Sequence, residues 1–197
     1  MIRTSILLVV LACGTLSAQV EIDNNWVHVV RLKQSPHDKT QVLDQFPAVV
    51  VYLSDANHKH GDATYIKAAT QASENASDQP SEKVVIELKP GATKSKSPPI
   101  TLDPVKLDPQ HHIVLLENNR VRVIRTILEP HLKAPIHQHP HYVVVYLTEL
   151  HTTMTMSDGK EIDNVRKPGE IAWRDRLQHA TENIGHETAM EIQVELK

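Results

Sequence analysis

Apolar and polar residues alternate with a period of two along much of this chain. Arg120-Val121-Arg122-Val123 alternates. So do Met190, Ile192, Val194 and Leu196, with Glu191, Gln193 and Glu195 opposite them. Thr152 to Met156 alternates again and runs into Ser157-Asp158-Gly159-Lys160, a hairpin-turn signal. Successive side chains of a strand point to opposite faces, so this period predicts half-buried strands. Val143 to Leu147 is instead a short, continuous, β-branched-rich run, the signature of a strand buried on both faces. No long 3.6-residue period appears. The pattern predicts an all-β fold of short strands and tight turns, a sandwich or a small barrel.

The pattern also repeats. Asp23–Leu53 lies over Glu117–Leu147 at a constant offset of 94, with thirteen of 31 positions identical, among them Asn24-Asn25 on Asn118-Asn119 and Pro36-His37 on Pro130-His131. Lys59–Lys89 lies over Lys167–Lys197 at an offset of 108, with eight of 31 identical, including Gly61 on Gly169 and Asn75 on Asn183. Self-similarity of this kind predicts two small tandem modules. The change of offset leaves the first copy 14 residues short between Leu53 and Lys59, where the second holds Thr152–Met156 and its turn. The first module is therefore expected to lack a hairpin.

Four segments follow. Residues 1–18 read as an export signal: Arg3 supplies the charge, Ile6 to Ala12 the apolar region and Leu16-Ser17-Ala18 a cleavage site. Residues 19–89 form the first module and 112–197 the second. Residues 90–111, with Pro90, Pro98, Pro99, Pro104 and Pro109, are expected to be an extended surface linker without regular sheet or helix. The two modules are expected to pack face to face. Cleavage would leave a periplasmic or secreted protein with no transmembrane segment and no cysteine, because the only one, Cys13, lies in the signal; the alternative is a lipoprotein anchored through Cys13. A net charge of -3 without basic runs argues against nucleic acid as a partner. A homodimer is compatible with the chain.

The chemistry lies where the copies differ. His137, His139 and His179 face Leu43, Gln45 and Gln71 of the first copy. Unrelated surface histidines have no reason to vary as a set, whereas ligands of one ion do. His137 and His139 are two apart, so on a strand both imidazoles share a face. His179 would reach them from another strand. Neutral imidazoles suit divalent Fe, Ni, Mn, Zn or Cu. His58-Lys59-His60 has the same spacing but reads as an exposed turn. His131 matches His37 and suggests a turn or packing role. Tyr142, Tyr146, Met154, Met156 and Trp173 are candidate pocket walls, with ordinary core as the competing reading.

The second copy resembles the cupin superfamily. That family's first motif is Gly, five residues, His-x-His, three or four residues, then Glu; its second includes Pro-Gly, a later His, three residues and Asn. His131 stands at the glycine, His137 and His139 at the pair, and Val143 or Val144 at the Glu. Lys167-Pro168-Gly169-Glu170-Ile171-Ala172-Trp173, His179 and Asn183 are similar to the second motif, one residue short. The resemblance covers residues 112 to 197 and reaches the first copy through the repeat. It implies two tandem cupin-like jelly-roll modules, the first degenerate and shortened. It also implies that the usual carboxylate is missing, leaving three neutral ligands around an ion with an uncompensated +2 charge. Such a site favours an anionic partner. Three-histidine iron sites occur in the thiol dioxygenase branch of the family. Glu149, Asp175 and Glu182 are the candidates to replace the carboxylate.

Two functions follow. One is a metal-dependent, dioxygenase-like oxidoreductase acting on a small organic molecule, with no catalytic residue assigned. The other is a non-catalytic small-molecule or sugar-binding protein with a structural metal.

Overall fold

The alternation in the chain becomes antiparallel sheet in the computed structural model, which describes residues 17–44, 46–93 and 99–197. Two units are separated between Lys94 and Ser95. The first holds β1 (Ser17–Asp23), β2 (Val27–Gln34), β3 (Lys39–Asp44), β4 (Ala48–Tyr52), β5 (Ala63–Ile66), β6 (Ala69–Glu74) and β7 (Ser81–Leu88). The second holds β8 (His112–Glu117), β9 (Val121–Leu128), β10 (Lys133–His139), β11 (Tyr142–Tyr146), β12 (Leu150–Met156), β13 (Glu161–Arg166), β14 (Ile171–Arg174), β15 (Leu177–Asn183) and β16 (Ala189–Leu196).

Each unit is built on the same five-stranded sheet, ordered β1-β2-β7-β4-β5 in the first and β8-β9-β16-β11-β14 in the second. The registers agree residue for residue with the repeat: Val27 pairs with Leu88 and Val121 with Leu196, while Val49 pairs with Ile86 and Val143 with Val194. The second sheet of each unit differs. It is β3-β6 in the first unit and β10-β15-β12-β13 in the second. The hairpin β12–β13 is the piece the shorter copy lacks. Gly159 at its tip has φ 82, the left-handed conformation that glycine adopts without a Cβ clash.

Local chemistry explains the shared parts. Asn118 Oδ1 accepts hydrogen bonds from the backbone N–H of Arg120 and Val121, and Asn24 does the same for Trp26 and Val27, closing the β8–β9 and β1–β2 turns. The buried Asn183 donates to the carbonyls of Leu128 and Glu187 and accepts from Gly185 N–H; Asn75 holds the equivalent corner of the first unit. All five residues of β11 are buried. Val143 and Val145 point to one side of the sheet. Tyr142, Val144 and Tyr146 join Leu128, Ala134, Leu150 and Ala189 on the other. His37 and His131, the residues ahead of β3 and β10, both adopt positive φ, 61 and 66. This is the position where the family motif has glycine.

The Pro-rich segment departs from expectation. Pro90–Thr93 forms a 3-10 turn and Pro104–Leu107 a single α-helical turn, α1. Proline tolerates the first helical position because that N–H has no intrahelical partner, and Asp103 caps the turn by accepting from Val105 N–H. The segment is also bound to the second unit rather than free of it: Gln138 N–H donates to the Leu102 carbonyl, and Gln138 Oε1 accepts from Thr101 N–H. The expected export signal, with Cys13, lies outside the described residues except for Ser17 and Ala18, which open β1. Among the described residues, no helix is long and apolar enough to cross a membrane.

Candidate metal centre

β10 and β15 lie side by side, with His137 directly opposite His179. His139, two residues on, shares the face of His137. The three side chains are buried, and their candidate ligand nitrogens all lie within 4.8 Å of one another. Ring centroids are 4.8 Å apart for His137 and His139, 4.6 Å for His137 and His179, and 5.5 Å for His139 and His179. Nitrogens at metal-bond length around a tetrahedral ion would sit about 3.4 Å apart, so small ring rotations suffice to close the set.

The far side of each ring is held by protein. His137 Nδ1 donates to the Pro135 carbonyl at 2.7 Å, His139 Nδ1 to the Glu195 carboxylate at 2.7 Å, and His179 Nδ1 lies 3.0 Å from Thr181 Oγ1. The first two bonds place the proton on Nδ1 and leave Nε2 as the lone-pair nitrogen of His137 and His139, while the Thr181 hydroxyl can pair with either tautomer of His179. His139 Nε2 and His179 Nε2 are buried without a hydrogen-bond partner among the described residues. Burial pushes the pKa of all three down, to about 2 for His179, so the rings are neutral at physiological pH. Neutral rings and orphaned buried nitrogens fit a divalent ion.

Glu195 has a second role. It also accepts from Arg122 Nε at 2.7 Å, and Arg122 reaches Asp103 at 2.9 Å. Burial raises the Glu195 pKa while Arg122 opposes that shift. The chain Asp103–Arg122–Glu195–His139 thus runs from the Pro-rich segment to the site. His112 approaches from β8: its ring lies edge-on to His137 at 5.1 Å, and burial drives its pKa down to about 4.

A cavity lies against His137, His179 and His112, with about 30 Å³ open to the centre of a water-sized sphere; His139 is not among its walls. Tyr142, Tyr146 and Met154 line it; Met156 and Trp173 are not among its walls. Trp173 stacks on His141 at 5.7 Å instead. Val144 lines the cavity and Val143 does not. None of the three candidate replacements belongs to the histidine cluster. Glu149 is exposed, Glu182 pairs with Lys133 at 3.3 Å, and Asp175 lies 75% exposed beside His141. His58 and His60 are exposed, as a turn predicts. Gln45 lies outside the described residues, as do the side chains of Leu43 and Gln71.

Glu195, Thr181, Arg122 and His112 were not legible as site residues. Glu195 is identical to Glu87 in the repeat, and a comparison that searches for differences passes over it.

No family model and no curated protein matches the sequence. Solved structures do match in fold. AerE from Microcystis aeruginosa superposes with a TM-score of 0.67 at 10% identity, covering 93% of this chain and 97% of that one. A cupin 2 conserved barrel domain protein from Leptotrichia buccalis gives 0.57 at 11% identity, over 93% and 89%. Salicylate 1,2-dioxygenase from Pseudaminobacter salicylatoxidans gives 0.59 at 8% identity, over 86% and 70%. At these identities the likeness is one of fold: two cupin-like, jelly-roll-like units, the second carrying a histidine cluster able to hold a metal ion.

Proposed function

We propose that this chain is an exported, metal-dependent oxidoreductase that acts on a small organic anion in the cavity of its second unit. The observation that carries the reading is the set of three buried histidines whose Nδ1 atoms are occupied and whose candidate ligand nitrogens lie within 4.8 Å of one another. His137, His139 and His179 would hold the ion, and a bound ion supplies Lewis-acid or redox chemistry at that end of the cavity. Glu195 fixes the His139 tautomer and, as an anion, strengthens that ring as a donor. Tyr142, Val144 and Met154 exclude water. With Val144 in place of a carboxylate, the ligand shell carries no negative charge, and an anionic substrate supplies it. Export rests on the charged and apolar start of the chain, Arg3 followed by Ile6 to Ala12.

The small cavity favours compact molecules over aromatic ring acids. It equally suits the alternative of a binding protein with a structural metal, and turnover separates the two. Protein purified from its native host should carry about one ion per chain, and His179→Ala should lose it. With iron loaded, oxygen uptake with product supports the enzyme; tight ligand binding without product supports the binding protein. A folded protein without any ion ends both.

A further inference from the structure

The repeat that separates the histidines separates a second set of residues. Thr126, Arg174 and Gln193 line the cavity of the second unit. At the same offsets the first unit has Leu32, Ile66 and Val85. Leu32 and Val85 belong to that unit's apolar core cluster, and Ile66 packs against it. The same three positions also line a cavity of the first unit, and there all three are apolar; in the second unit all three are polar.

Polarity at these positions is not consumed within the protein. Thr126 Oγ1 and Gln193 Oε1 are buried, in residues 5% and 3% exposed, and neither has a hydrogen-bond partner among the described residues. The amide of Gln193 is oriented by its other end: Nε2 donates to Glu191 at 2.7 Å, which leaves Oε1 as the free acceptor. Among the described residues, Arg174 bonds through one terminal nitrogen, Nη2, to Tyr146 Oη at 3.3 Å and Asn164 Oδ1 at 3.2 Å. It forms no ion pair among the described residues; Glu191 acts on it through space. Buried acceptors left unpaired are costly, and a guanidinium with free donors is a fork for a carboxylate.

Size limits the ligand further. A space of about 30 Å³ for sphere centres, widened by a water radius of ~1.4 Å, corresponds to a void about 3 Å in radius. That holds a handful of non-hydrogen atoms beside an ion. We infer that the second unit's cavity binds a short-chain hydroxy-carboxylic acid, its carboxylate toward Arg174 and its hydroxyl donating to Gln193 Oε1, with Thr126 Oγ1 beside it. This deepens the proposed function and rests on the same cavity being the substrate site. Glu191, the one acidic side chain in the lining among the described residues, is held by Gln193 and disfavours acids with a second carboxylate.

Lactate and propionate share a skeleton and differ by one hydroxyl. Calorimetric titration of the full chain with each, run with cobalt(II) loaded and with metal removed, tests the inference. Lactate should bind at least tenfold tighter than propionate. Gln193→Leu should shrink that ratio below threefold. Arg174→Gln should weaken both acids at least tenfold, with the unfolding midpoint reporting that the variants fold. Equal affinities in the wild type, or no binding of either acid, overturn the inference. So does a Gln193→Leu variant that folds and keeps the full ratio. Parallel metal analysis keeps the two readings apart. Cobalt bound without lactate preference sinks the hydroxy-acid inference alone, and lactate preference without cobalt binding sinks the metal reading alone.

Discussion

Replacing Glu195 by Gln tests the support behind the metal ligands. The carboxylate accepts from His139 Nδ1 at 2.7 Å, and the ion would lie beyond Nε2 of the same ring. Adding the ring and one metal–nitrogen bond puts the charge about 7 Å from the ion, for an attraction of about 5 kcal/mol to a +2 centre at an effective dielectric of 20. Arg122, bonded to the same carboxylate, offsets part of this, and reorganisation removes more. Outer-shell partners of metal-bound histidines typically contribute 10–100-fold in affinity, or about 1.4–2.7 kcal/mol, and Glu195→Gln should fall in that range. Gln can still accept from His139 through its oxygen, so the tautomer survives and the loss reports charge. Its NH2 group then faces Arg122, donor against donor, and lowers stability by about 1–3 kcal/mol. The assay is competition for zinc or cobalt against a chromogenic chelator at pH 7.5, with unfolding midpoints in parallel. Affinity within twofold of wild type, in a folded Glu195→Gln while His139→Ala abolishes binding, would refute the argument that this carboxylate strengthens the ligand.

His179→Ala should abolish stoichiometric metal, while Gln71→Ala at the matching place of the first unit should leave it, as metal analysis will show. Val144→Glu should tighten divalent ions by completing a mixed shell, whereas Val143→Glu, on the opposite face of β11 at 0% exposure, should lower stability by several kcal/mol in thermal unfolding; metal tightening by Val143→Glu instead would show the strand register to be wrong. Asn183→Ala removes three hydrogen bonds at a buried corner and should cost about 2–4 kcal/mol in urea unfolding. The metal-free protein should lose stability as pH falls from about 6.5. Below that value the unfolded chain takes up protons that native His112 and His179, with pKa about 4 and about 2, refuse, so the unfolded state is favoured down through those values. Glu191 and Glu195, raised by burial above 4.5, take up protons first in the native state and offset part of the loss at the acidic end. Unfolding midpoints that stay flat between pH 7.5 and 5 would contradict this.

Much of the molecule could be read from pairing one half of the chain against the other. The offsets of 94 and 108 carried the strand registers, because a sheet tolerates sequence change but not a one-residue slip. The 14-residue difference located β12–β13 for the same reason. His137, His139 and His179 stood out because a framework that persists makes its exceptions visible. The comparison was blind in two ways. Glu195 and Glu87 are the same residue, so a functional partner looked like framework. Thr126, Arg174 and Gln193 differ from their counterparts, but their inward direction depends on which face of each strand meets the cavity. The Pro-rich stretch misled because proline's missing N–H excludes it from helix interiors and not from a helix start; Pro104 opens α1 without breaking a bond.

Histidine in the left-handed conformation at both His37 and His131 records an order of events. A side chain at that φ is uncommon outside glycine, although histidine is among those enriched there, and the same residue holds the equivalent turn of both units. One ancestral module with histidine at the turn, then copied, explains both. Glu87 points to what that ancestor did. It is buried at 3% exposure in the unit where Gln45 replaces the histidine that its counterpart supports. A carboxylate is costly to introduce into a core and simple to inherit. On the proposed function, the first unit descends from a metal-binding module, and its leucine and glutamines stand where that module held its ligands.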